Sequence, residues 1–206
     1  MKHLRKFGLI GLVVAFLAPL AGNAQATVVT SGGASYTGGF SAEASDVILH
    51  RKTFAEGKFG ITCGKSTMSG SLPSHGLGVT ASLAPTSLFF INCVNVLNPS
   101  AEVKVLNQGK LEIHTASGDT EGTTGNGTVT WSGFEFTTSI GPVGINEHCF
   151  FKLSNADVGS ITGSKGTGAT AKLNIDALLS TSLGCGLSAE LTATYTITTP
   201  DNLNID

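Results

Sequence analysis

SAELTATYTIT, residues 188–198, reads apolar and polar by turns. Ala189, Leu191, Ala193, Tyr195 and Ile197 fall on one side. Ser188, Glu190, Thr192, Thr194, Thr196 and Thr198 fall on the other. A period of two sustained over this stretch is a β-strand with one face in the core and one in water. Threonine on the wet face suits a pleated surface.

The same texture recurs along the chain. VTWSGFEF (129–136) alternates, with Gly133 placed where a bulge or a change of phase would sit. AEVKVL (101–106), KLEIHT (110–115) and AKLNID (171–176) repeat the pattern. ILH (48–50), FGITC (59–63), VTASLA (79–84), SLFFINCV (87–94) and CFFKLS (149–154) bring the total to about ten strands. NQG (107–109) joins two alternating runs and reads as a hairpin turn. GTTGNG (122–127) and GSKGTG (163–168) read as glycine-rich loop tips. No stretch after the N-terminal segment holds a 3.6-residue apolar period for three turns, and DALLSTSL (176–183) is the best helical candidate. The tail TPDNLNID (199–206) reads as a frayed acidic end or a last strand turn. Many short strands with frequent turns predict an all-β fold, an antiparallel β-sandwich or flattened barrel. One continuous domain over 27–206 is the first arrangement, and two small stacked β units the second.

The N-terminus has its own character. Lys2, Arg5 and Lys6 precede an uncharged apolar run from Phe7 to Ala18, and Ala24-Gln25-Ala26 has a small-x-small form. This is the layout of a secretory signal peptide, residues 1–26, removed on export. The apolar run falls short of the roughly 20 residues that a membrane span needs. Asn23 stands where a lipoprotein signal would carry Cys, so no lipid anchor is expected there. Cleavage leaves nine basic residues against 14 acidic ones, a net charge of −5. Such a surface repels phosphate backbones, so nucleic acid is not an expected partner. No basic amphipathic segment points to membrane adsorption, and no membrane insertion is expected after cleavage.

Four cysteines, Cys63, Cys93, Cys149 and Cys185, lie in the exported part. An even count in an exported chain implies disulfides. The gaps of 29, 55 and 35 residues lack the tight pairs of a zinc site. Of three connectivities, Cys63–Cys93 with Cys149–Cys185 is favoured, because sequential pairs staple neighbouring strands. Each would close a loop worth about 3.5–4 kcal/mol in the chain-entropy description.

Several motifs imitate active sites. FGITCGKS (59–66) resembles a phosphate-binding loop, but Gly60 and Gly64 enclose three residues where four are needed. The following TMSGSLPSHG will not open a helix to hold the anion. It reads instead as a core strand with an oxidised Cys63, ending in a glycine turn. GLGVTA (76–81) imitates a dinucleotide fingerprint without the preceding strand and following helix. His50, His75, His114 and His148 show no H-x-H or helical i, i+4 spacing, so no metal is expected. His148 adjoins Cys149, but a nucleophilic pair would need a free thiolate. No G-x-S-x-G elbow occurs. Glu112, Glu135 and Glu190 are the carboxylates that a glycoside hydrolase would have to bring together. They equally break up the wet faces of strands. Asn126-Gly127-Thr128 is a glycosylation sequon and also a turn signal.

The ITC (61–63), INC (91–93), WSGFEF (131–136), HCFFKL (148–153), LGCG (183–186) and TATYTITTP (192–200) segments, with the signal peptide, resemble a class of secreted Ser/Thr/Gly-rich four-cysteine β proteins of actinobacteria. More distantly the chain is similar to the exported alkane-oxidation-activator family associated with biofilms. The resemblance covers most of the exported chain as texture. It implies a secreted, disulfide-bearing β fold with the cysteine pairing favoured above, and it carries over no catalytic residue.

The expectation is therefore a non-enzymatic exported protein of the cell envelope or extracellular matrix, with no cofactor. Its partners would be other copies of itself or cell-surface polymers. A soluble module for a carbohydrate or another small ligand is the alternative, with Trp131, Tyr36 and Tyr195 the only aromatics carrying a polar handle. Trp131 alternates with Val129 and is expected in the core. A secreted hydrolase is the third reading.

Overall fold

The computed structural model describes residues 28–52, 60–76, 79–96, 99–115, 125–140, 147–164, 168–180 and 185–205. The segment read as a signal peptide lies outside them. The strands, in chain order, are β1 (Val29–Ser31), β2 (Ala34–Ser35), β3 (Gly39–Lys52), β4 (Gly60–Gly76), β5 (Val79–Asn95), β6 (Glu102–Asn107), β7 (Lys110–Thr115), β8 (Gly125–Ile140), β9 (Glu147–Ser164), β10 (Gly168–Ser180), β11 (Ser188–Thr199) and β12 (Leu203–Ile205).

Eight of them close on themselves in the order β8-β7-β5-β4-β3-β11-β10-β9, with β9 returning to β8. Every pairing is antiparallel. The all-β expectation holds, and the arrangement is a barrel carrying extra strands. Closure removes most sheet edges, which an open sheet would have to protect. The stretch 188–198 behaves as read: Ala189, Leu191, Ala193, Tyr195 and Ile197 are buried, and Thr192, Thr194, Thr196 and Thr198 are exposed.

The staves are longer than expected because bends hide inside them. VTASLA and SLFFINCV belong to one strand, β5. FGITC does not end in a glycine turn; β4 runs on through Gly64 to Gly76. On β3 the inward residues change from Ala42 and Ala44 to Val47 and Leu49. On β4 they change from Ile61 and Cys63 to Ser66 and Met68, and on β5 from Leu88 to Cys93 and Asn95. The change falls on one row across three strands, Asp46, Gly64 and Asn92, as the flanking pairs Val47↔Cys63↔Cys93 and Ser45↔Lys65↔Ile91 show. Asp46 (φ 54°) and Asn92 (φ 55°) are left-handed there. Asp and Asn are the side chains that tolerate this conformation best. The row bends the wall, so the lower part encloses a lumen and the upper part holds both disulfides.

The expected NQG hairpin is absent. β6 and β7 do not pair with each other but lie in line along one edge of β8. Glu102 faces Ser139 and Asn107 faces Glu135; then Lys110 faces Ser132 and Thr115 faces Gly127. Asn107 Oδ1 accepts a hydrogen bond from the Gly109 amide at 3.0 Å, and Trp131 Nε1 donates to the Gln108 carbonyl at 2.8 Å. These bonds hold a kink rather than a reversal. Gly109 (φ +69°) presses on β8 so closely that a Cβ would stand 2.3 Å from the Ser132 oxygen. Gly133, also at φ +69°, is the phase change read in the sequence: Val129 and Trp131 point inward before it, Phe134 and Phe136 after it.

The helical candidate is also overturned. Asp176–Ser180 extends β10, with Leu178 opposite Ala189 and Leu179 between Ser188 and Lys152. Sheet neighbours on both sides outweigh a weak local propensity. Residues 181–183 lie outside the described residues. The tail forms a strand, β12, in a small sheet ordered β12-β1-β2. Its Leu203 and Ile205 are buried where β12 meets β8, β9 and β10, covering that end of the barrel, and Val29 of β1 is buried opposite Ile205.

Two disulfides join Cys63 to Cys93 and Cys149 to Cys185, the favoured pairing. The first links directly opposed residues of β4 and β5. The second ties β9 to the approach to β11. Beside them runs a stacked aromatic column, Trp131 to Phe134 (4.3 Å), Phe134 to Phe136 (5.1 Å) and Phe136 to Phe151 (5.3 Å).

Candidate functional site

Two features of the barrel stand out from a packed, polar-coated fold: a lumen within the wall and an apolar stripe outside it.

The lumen is a cavity of about 30 Å³. All eight barrel strands line it, among them Ala42 of β3, Met68 of β4, Leu83 of β5, Ile113 of β7, Ala171 of β10 and Tyr195 of β11. An eight-stranded barrel has an interior just wide enough to be filled by side chains or to hold one small ligand. Here alanines at 42 and 171 leave part of it unfilled. Among the described residues, the only polar side-chain group in the lining is the Tyr195 hydroxyl, and it is already engaged. Ser66 Oγ donates its single proton to the Phe89 carbonyl at 2.9 Å. Tyr195 Oη therefore donates to Ser66 Oγ, at 2.8 Å. Burial pushes the Tyr195 pKa up to about 12.

The stripe lies on β5 and just beyond it. Phe89 is 60% exposed, Ile91 42%, Val94 46% and Val96 90%. Leu106, on the adjacent β6, is 49% exposed. The left-handed Asn92 keeps the stripe on one surface: Phe89 and Ile91 face outward below it, Val94 and Val96 above it, while Cys93 and Asn95 turn inward. Among the described residues β7 pairs with β5 at Ala81, Ser82 and Leu83 alone. Above that rung β6 runs alongside β5 without a ladder between them, leaving a seam in the wall. Phe90 of β5 and Val105 of β6 are half-buried against the core on its two sides.

The residues weighed as catalytic lie elsewhere. Glu112 pairs with Lys110 (2.6 Å) and Glu135 with Lys152 (3.0 Å), both on the outer surface. Glu190 sits between the inward Ala189 and Leu191 and faces outward opposite His50. None of the three lines the lumen. His114 Nε2 lies 3.4 Å from Thr130 Oγ1, and His148 is exposed beside the buried Cys149. The side chain of His75 is outside those described. Among the described residues no three His, Cys, Asp or Glu side chains gather as a metal site. Lys65, the lysine of the phosphate-loop imitation, pairs with Glu43 at 2.9 Å on the outer wall. Asn126 is an exposed strand residue on β8 rather than part of a turn.

Trp131 is 1% exposed, in the core as expected, and Tyr195 2%. Tyr36 is half-buried, and its hydroxyl donates to the Gly39 carbonyl. Among the described residues these three aromatics do not form an open platform of the kind that stacks on sugars.

No protein-family model matches this chain, and no match was found among curated proteins or solved structures.

The lumen was missed at the sequence level because alanine in a strand gives no sign of what stands opposite. The stripe was hidden in SLFFINCV, which is apolar on both faces.

Proposed function

We propose that the chain is an exported, non-enzymatic barrel of the cell envelope or extracellular matrix that associates with copies of itself through the β5 stripe. The observation that carries this reading is the alignment of Phe89, Ile91, Val94 and Val96 on one outward surface. Together with Leu106 they present on the order of 400 Å² of apolar surface, within the range of the largest patch on a typical monomer, a patch that is often functional. Two copies related by a two-fold axis would bring equivalent stripes together, a self-complementary arrangement. With a polar rim, that contact approaches the lower bound of about 1,200 Å² in total for stable interfaces. A charged partner would meet nothing complementary in the stripe itself, whereas a second stripe matches it in chemistry.

Covalent chemistry supports this location. Two disulfides with no free cysteine fit an oxidising compartment. Export by the 1–26 segment and the likeness to secreted four-cysteine β proteins support the same setting. The barrel is apolar inside and largely Ser, Thr and charged residues outside, the inverse of a barrel facing lipid. That supports a place outside the bilayer.

Sedimentation velocity of the chain lacking residues 1–26 tests the reading across a wide concentration range. The expected result is concentration-dependent association, abolished by Phe89→Asp with the circular dichroism unchanged. A wild-type chain that stays monomeric throughout, or a variant that associates equally well, defeats it.

A further inference from the structure

We infer that the lumen is a binding site for one small, uncharged, apolar molecule lacking hydrogen-bonding groups. It is a second site, separate from the stripe, since one lies inside the wall and the other outside it.

Size sets the first limit. A water needs roughly 10–15 Å³ of such space, so the cavity would hold about two waters by volume. Water, however, needs two to four polar partners. Among the described residues none is on offer: the lining is made of aliphatic, aromatic and thioether side chains, and its only hydroxyl is committed to Ser66. A cavity of this kind stays dry and takes an apolar guest. Filling it restores dispersion contacts that the lining otherwise lacks.

Selectivity follows from the same inventory. A guest bearing a hydroxyl, amide or charge would leave that group unpaired in the barrel, which costs about 1–3 kcal/mol or more. Length is limited too. Above the lumen the inward set changes phase at the row of Asp46, Gly64 and Asn92, and the buried Cys63 and Cys93 fill the interior there, while β12 covers the lower end. The site therefore discriminates by polarity and size.

The seam supplies a way in. Leu83 and Leu111 both line the lumen, and they form the last laced rung between β5 and the β6–β7 edge. Among the described residues β5 and β6 share no ladder directly above it, so parting Phe90 from the β6 side breaks no ladder hydrogen bond described there. Small outward motions there would admit a guest while the other seven seams stay closed.

The test uses xenon as the probe, with the exported chain in solution and its methyl groups followed by NMR. Saturable shifts confined to the methyls of Leu83, Leu111, Ile113, Val129, Ile161 and Leu173 are expected. Ala171→Leu, which fills the space from β10, should weaken xenon binding by at least about tenfold, equal to 1.4 kcal/mol. Ala42→Val from β3 serves the same purpose if that variant does not fold. Phe90→Ala should speed xenon exchange. The inference fails if the wild type shows no saturable shift at these methyls, or if long-lived water is detected in the lumen. It also fails if a folded filled variant binds as well as the wild type. None of these readouts depends on whether the stripe self-associates.

Discussion

Replacing Tyr195 by Phe probes the barrel interior through a buried titratable hydroxyl. In the folded chain the Tyr195 pKa is raised from 10.0 to about 12, first by burial. The unfolded chain releases the proton near pH 10, while the folded chain retains it. The contribution to stability is therefore whole below pH 10 and is lost progressively as pH rises from 10 towards 12. Holding a proton tenfold more tightly corresponds to about 1.4 kcal/mol, so the full loss is about 2–3 kcal/mol. Phenylalanine has no such proton and its stability carries no such slope. At pH 7 the variant loses the hydrogen bond donated to Ser66, a net cost of about 1 kcal/mol, while Ser66 keeps its bond to the Phe89 carbonyl. The two proteins should thus cross over: the wild type is more stable at pH 7, the variant by pH 12. Urea unfolding of both at a series of pH values, read as the difference between them, removes the titration of every other group. A difference that does not change with pH would show that the Tyr195 hydroxyl is open to water, and the account of the lumen wall would fall with it.

Three further outcomes follow from packing. Phe134→Ala, at a position with 0% exposure inside the aromatic column, should cost about 3–5 kcal/mol in urea unfolding. Replacing Cys149 and Cys185 together by Ser should cost about 3–4 kcal/mol, the value for a loop of this size, and a loss below about 1 kcal/mol would mean that the bridge constrains little. Gly125→Ala should dislodge the small end sheet, because a Cβ there would fall 1.2 Å from the Ile205 oxygen; faster amide exchange at Leu203–Ile205, with β11 unchanged, is the expected signature.

Particular residues show what sequence reading reaches and where it stops. Residues 188–198 declared their inward set without ambiguity because the burial alternation of β11 runs unbroken up to Thr198. Gly133 marked a real change of phase. The cysteine pairing followed from chain order. The NQG kink was misread because glycine with Asn suits a reversal and an in-line bend alike, and only the β8 residues beneath distinguish them. DALLSTSL was misread because its strand character comes from its neighbours on β9 and β11. Asp46 and Asn92 gave no warning of the bend that they share with Gly64. Each looks ordinary alone, and the row exists only once β3, β4 and β5 are in register. Both candidate sites fall in this second group. Ala42 and Ala171 come from strands far apart in the chain, and Phe89 cannot be told from Leu88 inside an unbroken apolar run.

From its order of residues alone, this chain is committed to strands, to a face of each strand that avoids water, and to oxidised cysteines. Those properties are local: period-two side-chain direction and thiol chemistry need no knowledge of distant partners. Closure of the wall, the alignment of β6 with β7, the lumen and the exposed stripe were decided by the tertiary structure. They depend on which strands pair and in what register, and a shift of one residue would exchange inside for outside along a whole strand.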